Sequence, residues 1–332
     1  MKLSLGIVGL PNVGKSTLFK ALTKIDITIA NYPFATIDPN VGIVTVPDER
    51  VNKLAELSKS KKKIPAVVEF YDIAGLVKGA SSGEGLGNQF LSHIREVQAI
   101  VHVVRCFDGG DIIHVESSVD PIRDIETINT ELQLKDLETV GRRLHSAEKE
   151  SRAGIKEATA ILDTLKIAKD RLEKGEMLRE LKDNTTIKEL QLLTAKEMLF
   201  LFNGTESDIQ ENLKEKIKSL GYSYLVGDLS DSNFDLAPLV RKAYEILDLI
   251  SFFTTGEDET RAWTIRRGAK APEAAGTIHT DFEKKFIRAE VVPYVKLIEA
   301  KTWSGAKQKG WLRLEGKEYV MQDGDIVEIR HG

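Results

Sequence analysis

Gly9 to Ser16 reads G-L-P-N-V-G-K-S and stands between an apolar run, Leu3 to Val8, and an amphipathic stretch that begins at Thr17. A strand, a glycine-bearing loop and a helix in that order form a phosphate cradle. Gly9 and Gly14 let the backbone curl so that successive N–H groups face inward, and the following helix turns the positive end of its dipole to the same point. The residues expected to meet the nucleotide are Asn12, Val13, Gly14, Lys15, Ser16 and Thr17. Lys15 would reach the β and γ phosphates as a point charge, and the Ser16 hydroxyl would ligate Mg²⁺. Asn12 either helps to hold a monovalent cation, K⁺, beside the phosphates or stabilises the turn. The pattern implies binding of a nucleoside triphosphate.

Apolar, β-branched runs recur at Leu3 to Val8, Val41 to Val46, Ala66 to Tyr71, Ala99 to Val104, Met198 to Phe202 and Tyr222 to Val226. Several are separated by helical patterns, so the fold class is α/β, a mostly parallel sheet wrapped by helices. A long stretch without proline, rich in Glu, Lys, Leu and Ala, interrupts the series at about residues 122–182. Val140, Leu144 and Ala147, then Ile155, Ala158, Leu162 and Leu165, fall at three- and four-residue steps, with a break near Ser151 to Gly154. That spacing predicts an antiparallel helical hairpin, its mixed charges forming a solvated face. Residues 1–121 and 183–248 then form one nucleotide domain, and residues 249–332 a smaller α+β domain with short strands at Arg261 to Ile265 and Ile326 to Arg330.

A chain of 332 residues with 42% hydrophobic and 30% charged residues has the composition of a soluble globular protein of two or three domains. The net charge of −4 excludes a protein that coats nucleic acid by bulk electrostatics, so any RNA contact must be a local patch. One such patch is Arg261, Arg266, Arg267 and Lys270 around Trp263, suited to phosphate backbone and a stacked base, or else to a solvated strand edge. Cys106, the sole cysteine, excludes an internal disulfide framework and reads as a small buried residue in a reducing compartment. No run approaches a membrane span or a signal peptide's core, so the expected location is the cytoplasm, with no membrane partner.

The remaining motifs follow in the order of a switch nucleotidase. Thr36, in N-Y-P-F-A-T, lies where it could reach Mg²⁺ only when a γ phosphate is present. D-I-A-G closes the third apolar run roughly 55 residues beyond the phosphate loop, placing Asp72 near the metal's outer shell and the Gly75 N–H near the γ phosphate. The glycine-rich run Gly79 to Gly87 is expected to be a mobile switch. Where guanine readers carry Asn-Lys-x-Asp, this chain has Asn203-Gly204-Thr205-Glu206, and the longer Glu206 suits guanine poorly. The alternative is that Asn203 and Glu206 form only a turn and a helix cap. Leu76 stands where many GTPases place the glutamine that orients water, so hydrolysis needs another group, a partner, or remains slow.

L-P-N-V-G-K-S-T, N-Y-P-F-A-T-I-D-P-N, D-I-A-G-L-V-K-G-A, F-L-S-H-I-R-E-V, N-x-x-E and the tail from Arg261 to Lys284 resemble the YchF family, the Obg-like ATPases, nearly end to end. The resemblance implies a Ras-like P-loop NTPase domain, an inserted coiled-coil hairpin and a C-terminal TGS domain. It also implies ATP preferred over or alongside GTP, Mg²⁺ dependence, and binding to the ribosome and its large subunit, with a role in regulating translation and stress responses. His114 matches a mobile histidine that positions water, and Ser230 matches part of a base-proximal loop. Lys15, Gly75 and His114 are thus the expected catalytic residues; the RNA contact falls on the TGS patch. Gly204 departs from the larger apolar residue of relatives. A competing reading makes the chain a ribosome-binding adaptor whose nucleotide is a regulatory ligand with negligible turnover.

Overall fold

The computed structural model describes residues 3–24, 40–73, 88–108 and 119–332. Thr36, Gly75, Leu76, the run Gly79 to Gly87 and His114 lie outside these. The chain divides into two compact units: within the described residues one takes 3–24, 40–42 and 69–235, and the other 43–68 and 236–332.

The first of two sheets is the expected mostly parallel one, with helices packed on it. Its strands are β1 (Ser4–Val8), β2 (Val41–Thr45), β4 (Val67–Asp72), β5 (Ala99–Arg105), β6 (Glu197–Asn203) and β7 (Ser223–Gly227), while β3 (Lys62–Ile64) joins the other sheet. The order is β2-β4-β1-β5-β6-β7, and the ladders from β4 to β7 are parallel. β1 and β5 are buried along their whole length, as continuous apolar runs covered on both faces must be. On one face Ile100, Val104, Phe200 and Phe202 pack with helix α3 (Asn88–Glu96) through Phe90, Leu91 and Ile94, and with Ile125, Ile128 and Leu132 of a long helix described below. Because the strands run in parallel, their C-terminal ends collect the loop after β1, Asp72, Arg105, Asn203 and Gly227 along one edge, where open α/β sheets bind ligands.

The helical interruption is α4 (Pro121–Arg152) followed by α5 (Lys156–Glu173). Asp120 starts α4 by accepting from the Arg123 N–H at 3.1 Å, with Pro121 in the first turn, where its missing N–H costs nothing. Val140 and Ala147 meet Leu165, Ala168 and Leu172 across the hairpin, with Leu144 and Leu162 at its margin. Ile155 departs from the predicted stripe: it is the residue before α5 at the turn and is 48% exposed. The hairpin's root is tied by Asp136, fully buried, which accepts from the N–H groups of Leu193 and Thr194 at 3.0 and 2.8 Å and from the Thr194 hydroxyl at 2.7 Å. These donors sit on the short turn Leu193–Ala195 that leads into β6. Burial holds the Asp136 carboxyl above the usual carboxylate range, with the Thr194 and Leu193 donors pulling the other way.

In the second unit, β8 (Leu249–Thr255), β9 (Glu259–Arg266), β10 (Phe286–Pro293), β11 (Arg313–Glu315) and β12 (Asp325–His331) join β3 in the order β11-β10-β12-β8-β9-β3. Helix α9 (Ala271–Ile278) lays Ala271, Ala274 and Ala275 on Ile250, Phe252, Ile265, Val291 and Val327. Besides the expected residues 249–332, the compact unit takes in residues 43–68 and 236–248. β3 pairs in parallel with β9, Ile64 opposite Arg261, and helix α2 (Glu49–Ser58) packs with it. Arg50 of α2 binds Asp323 at 2.7 Å and lies over the Phe253 ring at 5.0 Å. Tyr244, on helix α8 (Ala237–Ile246), bonds the Ser251 and Thr264 hydroxyls at 2.9 and 3.0 Å.

Candidate functional site

The loop after β1 has the backbone that its glycines demand. Gly14, at φ +105°, opens helix α1 (Lys15–Thr23), and a Cβ there would lie 2.5 Å from Asn203 Nδ2. A Cβ on Gly9 would lie 2.4 Å from the Val103 carbonyl oxygen, so the loop can press against β5 only without one. Asn12 takes φ +62°, a left-handed conformation that Asn tolerates better than most residues. Lys15 is 8% exposed, and its Nζ donates to the Leu10 carbonyl at 2.5 Å. Burial pushes its pKa down to about 8, and the charge of Asp72, at the end of β4, pulls it up. His102 on β5, buried and with no hydrogen-bond partner at Nδ1 among the described residues, is pushed down to about 3 by burial and by Lys15, so it is neutral.

Asn203 joins three parts of the site. Its Nδ2 donates to the Val13 carbonyl at 2.9 Å, and its Oδ1 accepts from the Leu229 N–H at 3.0 Å. One buried amide thereby fixes the phosphate loop against the end of β6 and the loop after β7. A cavity of about 570 Å³ opens beside it. Asn12, Gly14, Lys15, Ser16 and Thr17 line one part; Phe107, Asn203, Gly204, Asp208, Asp228, Leu229 and Ser230 line the rest. Ser230 donates through its hydroxyl to Asp228 Oδ1 at 2.6 Å, which holds that carboxyl below its usual range. Glu206 does not line the cavity; it is exposed and pairs with Lys214 at 3.1 Å. Asp208 lines it instead, two residues further along the short turn Glu206–Asp208.

Two family models match the chain: MMR_HSR1, described as 50S ribosome-binding GTPase, over residues 4–140, and YchF-GTPase_C, described as a protein of unknown function (DUF933), over residues 249–332. The chain is 46% identical to the ribosome-binding ATPase YchF of Bacillus subtilis (strain 168), across 99% of each chain. It is 43% identical to Obg-like ATPase 1 of Oryza sativa subsp. japonica, across 98% of this chain and 91% of that one. The chain belongs to the YchF family. A solved relative agrees in fold: the YchF GTPase of Schizosaccharomyces pombe superposes with a TM-score of 0.88 at 41% identity, covering 99% of this chain and 98% of that one.

In this YchF chain the basic residues singled out in the second unit do not form one surface. Successive side chains of a strand point to opposite faces, so Arg261 and Trp263 share one face of β9 and Arg266 takes the other. The Arg261 guanidinium lies over the Trp263 ring at 4.0 Å. Arg267 pairs with Asp248 at 3.2 Å and Lys270 with Glu318 at 2.5 Å, whereas Arg266 is exposed and makes no ion pair among the described residues. A second cationic and aromatic cluster went unread in the sequence: Lys296 and Lys309 each stand 4.4 Å from the Trp311 ring. Phe107, Asp208 and Leu229, which also line the cavity, belong to none of the sequence motifs. The aromatic residue after Cys106 on the sheet's C-terminal edge was the one local signal that could have found any of them.

Proposed function

We propose that this chain is a cytoplasmic, ribosome-binding ATPase whose nucleotide state governs its contact with the large ribosomal subunit. The observation that carries the reading is the cavity shared by the phosphate loop and the Asn203 clasp, whose lining includes Phe107 and Leu229, apolar side chains suited to a base. The name of the Bacillus subtilis relative supports the ribosome, and both relatives' names support ATP; GTP is read as a weaker or comparable ligand because Glu206 suits guanine poorly. Lys15 meets the β and γ phosphates, giving up the Leu10 carbonyl when they arrive. Asn12, Val13, Gly14, Ser16 and Thr17 offer the surrounding donors, and Ser230 and Asn203 border the base.

Ser16, exposed at the start of α1, and Asp72, buried close enough to Lys15 to raise its pKa, are oxygen donors of the kind that suits Mg²⁺ beside a triphosphate. Together with Thr36 they would hold the ion, which would supply positive charge to offset that on the transferred phosphoryl group. Asn12 is the residue for K⁺. Gly75 offers its N–H to the γ phosphate. Leu76 cannot hold water, so that task falls to His114 or to a group on the ribosome, and intrinsic turnover is slow. RNA contact is assigned to the second unit, through Arg266 and Arg267, with Arg261 on the opposite face of β9 and Lys270 held by Glu318.

The test is phosphate release from Mg·ATP and Mg·GTP in potassium buffer, with and without large ribosomal subunits, beside Lys15→Ala. Turnover that favours ATP, rises with subunits and disappears in the variant is expected. Binding without turnover above the variant, even with subunits, would replace this reading by the adaptor.

A further inference from the structure

By count along the sequence, Glu206 holds the place from which guanine readers contact the base, yet it turns away to Lys214. Of the carboxylates on that turn, the one that lines the cavity is Asp208; Asp228, from the loop after β7, lines it too, with its Oδ1 taken by the Ser230 N–H and hydroxyl. Both of its hydrogen bonds fall on one oxygen: Oδ2 accepts from the Thr205 N–H and the Thr205 hydroxyl, each at 2.7 Å. Oδ1 makes no hydrogen bond among the described residues. Gly204 eases the fit: a Cβ at that position would come within 3.1 Å of Asp208 Oδ2 and 3.3 Å of its Cβ, so the aspartate would have to give by a few tenths of an ångström. The Thr205 donors also hold the Asp208 carboxyl below its usual range, so it is ionised at neutral pH.

We propose that Asp208 is a specificity-determining residue of this chain, its Oδ1 accepting a hydrogen bond from the exocyclic amine at C6 of adenine. The proposal rests on the nucleotide reading of the cavity. Guanine carries a carbonyl at C6, which a carboxylate repels. Guanine's own adjacent donors, the ring N–H and the C2 amine, call for both oxygens of a carboxylate, and here one is committed to Thr205. Asp208 thus takes up the discrimination that the Asn-x-x-Glu count assigns to Glu206.

The experiment measures the affinities of ATP, GTP and purine riboside triphosphate, which lacks the C6 amine, for the full chain and for Asp208→Asn, Gly204→Val and Lys15→Ala. The parent chain should bind ATP about tenfold more tightly than the purine analogue, the scale of one hydrogen bond to a charged acceptor. In Asp208→Asn the amide oxygen can still serve Thr205 while its N–H₂ faces the base, so ATP should weaken about tenfold and GTP hold or tighten. Gly204→Val, which crowds Asp208 without altering its charge, should narrow the ATP preference in the same direction. An ATP-to-analogue ratio that is the same in the parent and in Asp208→Asn overturns the proposal, as does an equal loss of all three nucleotides, which would mark a lost turn cap. If those results come while Lys15→Ala still abolishes binding, only this proposal falls. A parent chain that binds none of the three removes the nucleotide reading and this one with it.

Discussion

Lys15 sits between opposing influences, and their balance sets a pH dependence. Burial favours the neutral amine, Asp72 favours the ammonium, and burial wins, leaving a pKa of about 8. Phosphate brings negative charge and must raise that value, so binding above pH 8 requires uptake of a proton. ATP affinity is therefore expected to fall as pH rises from 7.5 to 9.5, approaching tenfold per unit at the upper end, with proton uptake climbing toward one. Titration calorimetry in buffers of different ionisation heat reads both quantities. Constant affinity with no proton uptake across that range would rule the account out. Stability of the nucleotide-free chain runs the other way. The folded-state pKa lies below the unfolded value, near 10.5, so between pH 8 and 10.5 the unfolded chain binds more protons and stability rises with pH. Lys196, also held at about 8 by burial, adds in the same sense.

Among the elements, the hairpin's root and the lead into β6 share one carboxylate. Asp136→Ala would leave two buried N–H groups and a hydroxyl without acceptors, at about 1–3 kcal/mol for each group that water cannot reach. The expected cost is about 3 kcal/mol, with Thr194→Val, which removes one donor of the three, at about 1 kcal/mol. Because the chain has two units and need not melt in one step, the sharper readout is amide exchange at Leu193 and Thr194. Unchanged protection there in Asp136→Ala would show that the tie carries no stability. Such ties explain which elements could be read in advance. The six strand runs of the first sheet and the two hairpin helices declare themselves by local apolar spacing. β3 is three residues, Lys-Lys-Ile, and only its pairing with β9, some 200 residues away, makes it a strand of the second unit. The phosphate loop was readable because its glycines answer to their own backbone. Asp208 was not, because its place depends on the conformation at Gly204 and on the Thr205 cap. The alternation of β9 was available from the sequence and, applied to the basic patch, separates Arg266 from Arg261 and Trp263.

Over the whole molecule, charge decides where an anionic partner can settle. Residues 249–332 hold 14 Lys and Arg against 13 Asp and Glu, whereas the rest of the chain holds 33 against 38. Neither portion offers a general attraction to RNA, so contact depends on cations free to meet phosphate. Arg266 is such a cation, and the Arg267–Asp248 pair is exposed enough, at 64% and 70%, to open at little cost. Arg266→Ala with Arg267→Ala is expected to weaken cosedimentation with large ribosomal subunits several-fold and to lower the salt dependence of binding by about one to two phosphate contacts. ATP affinity should stay at the parent level, since the loop that holds phosphate belongs to the other unit. Lys15→Ala should do the reverse in the absence of nucleotide, losing ATP and keeping the ribosome. The discriminating control is Lys296→Ala with Lys309→Ala, which strips the cations from Trp311. If sedimentation survives loss of the arginines and fails with loss of these lysines, the RNA contact moves from β9 to the surface around Trp311. If both pairs can be removed without effect, the second unit's basic side chains do not hold the ribosome, and the contact must be sought in the first unit.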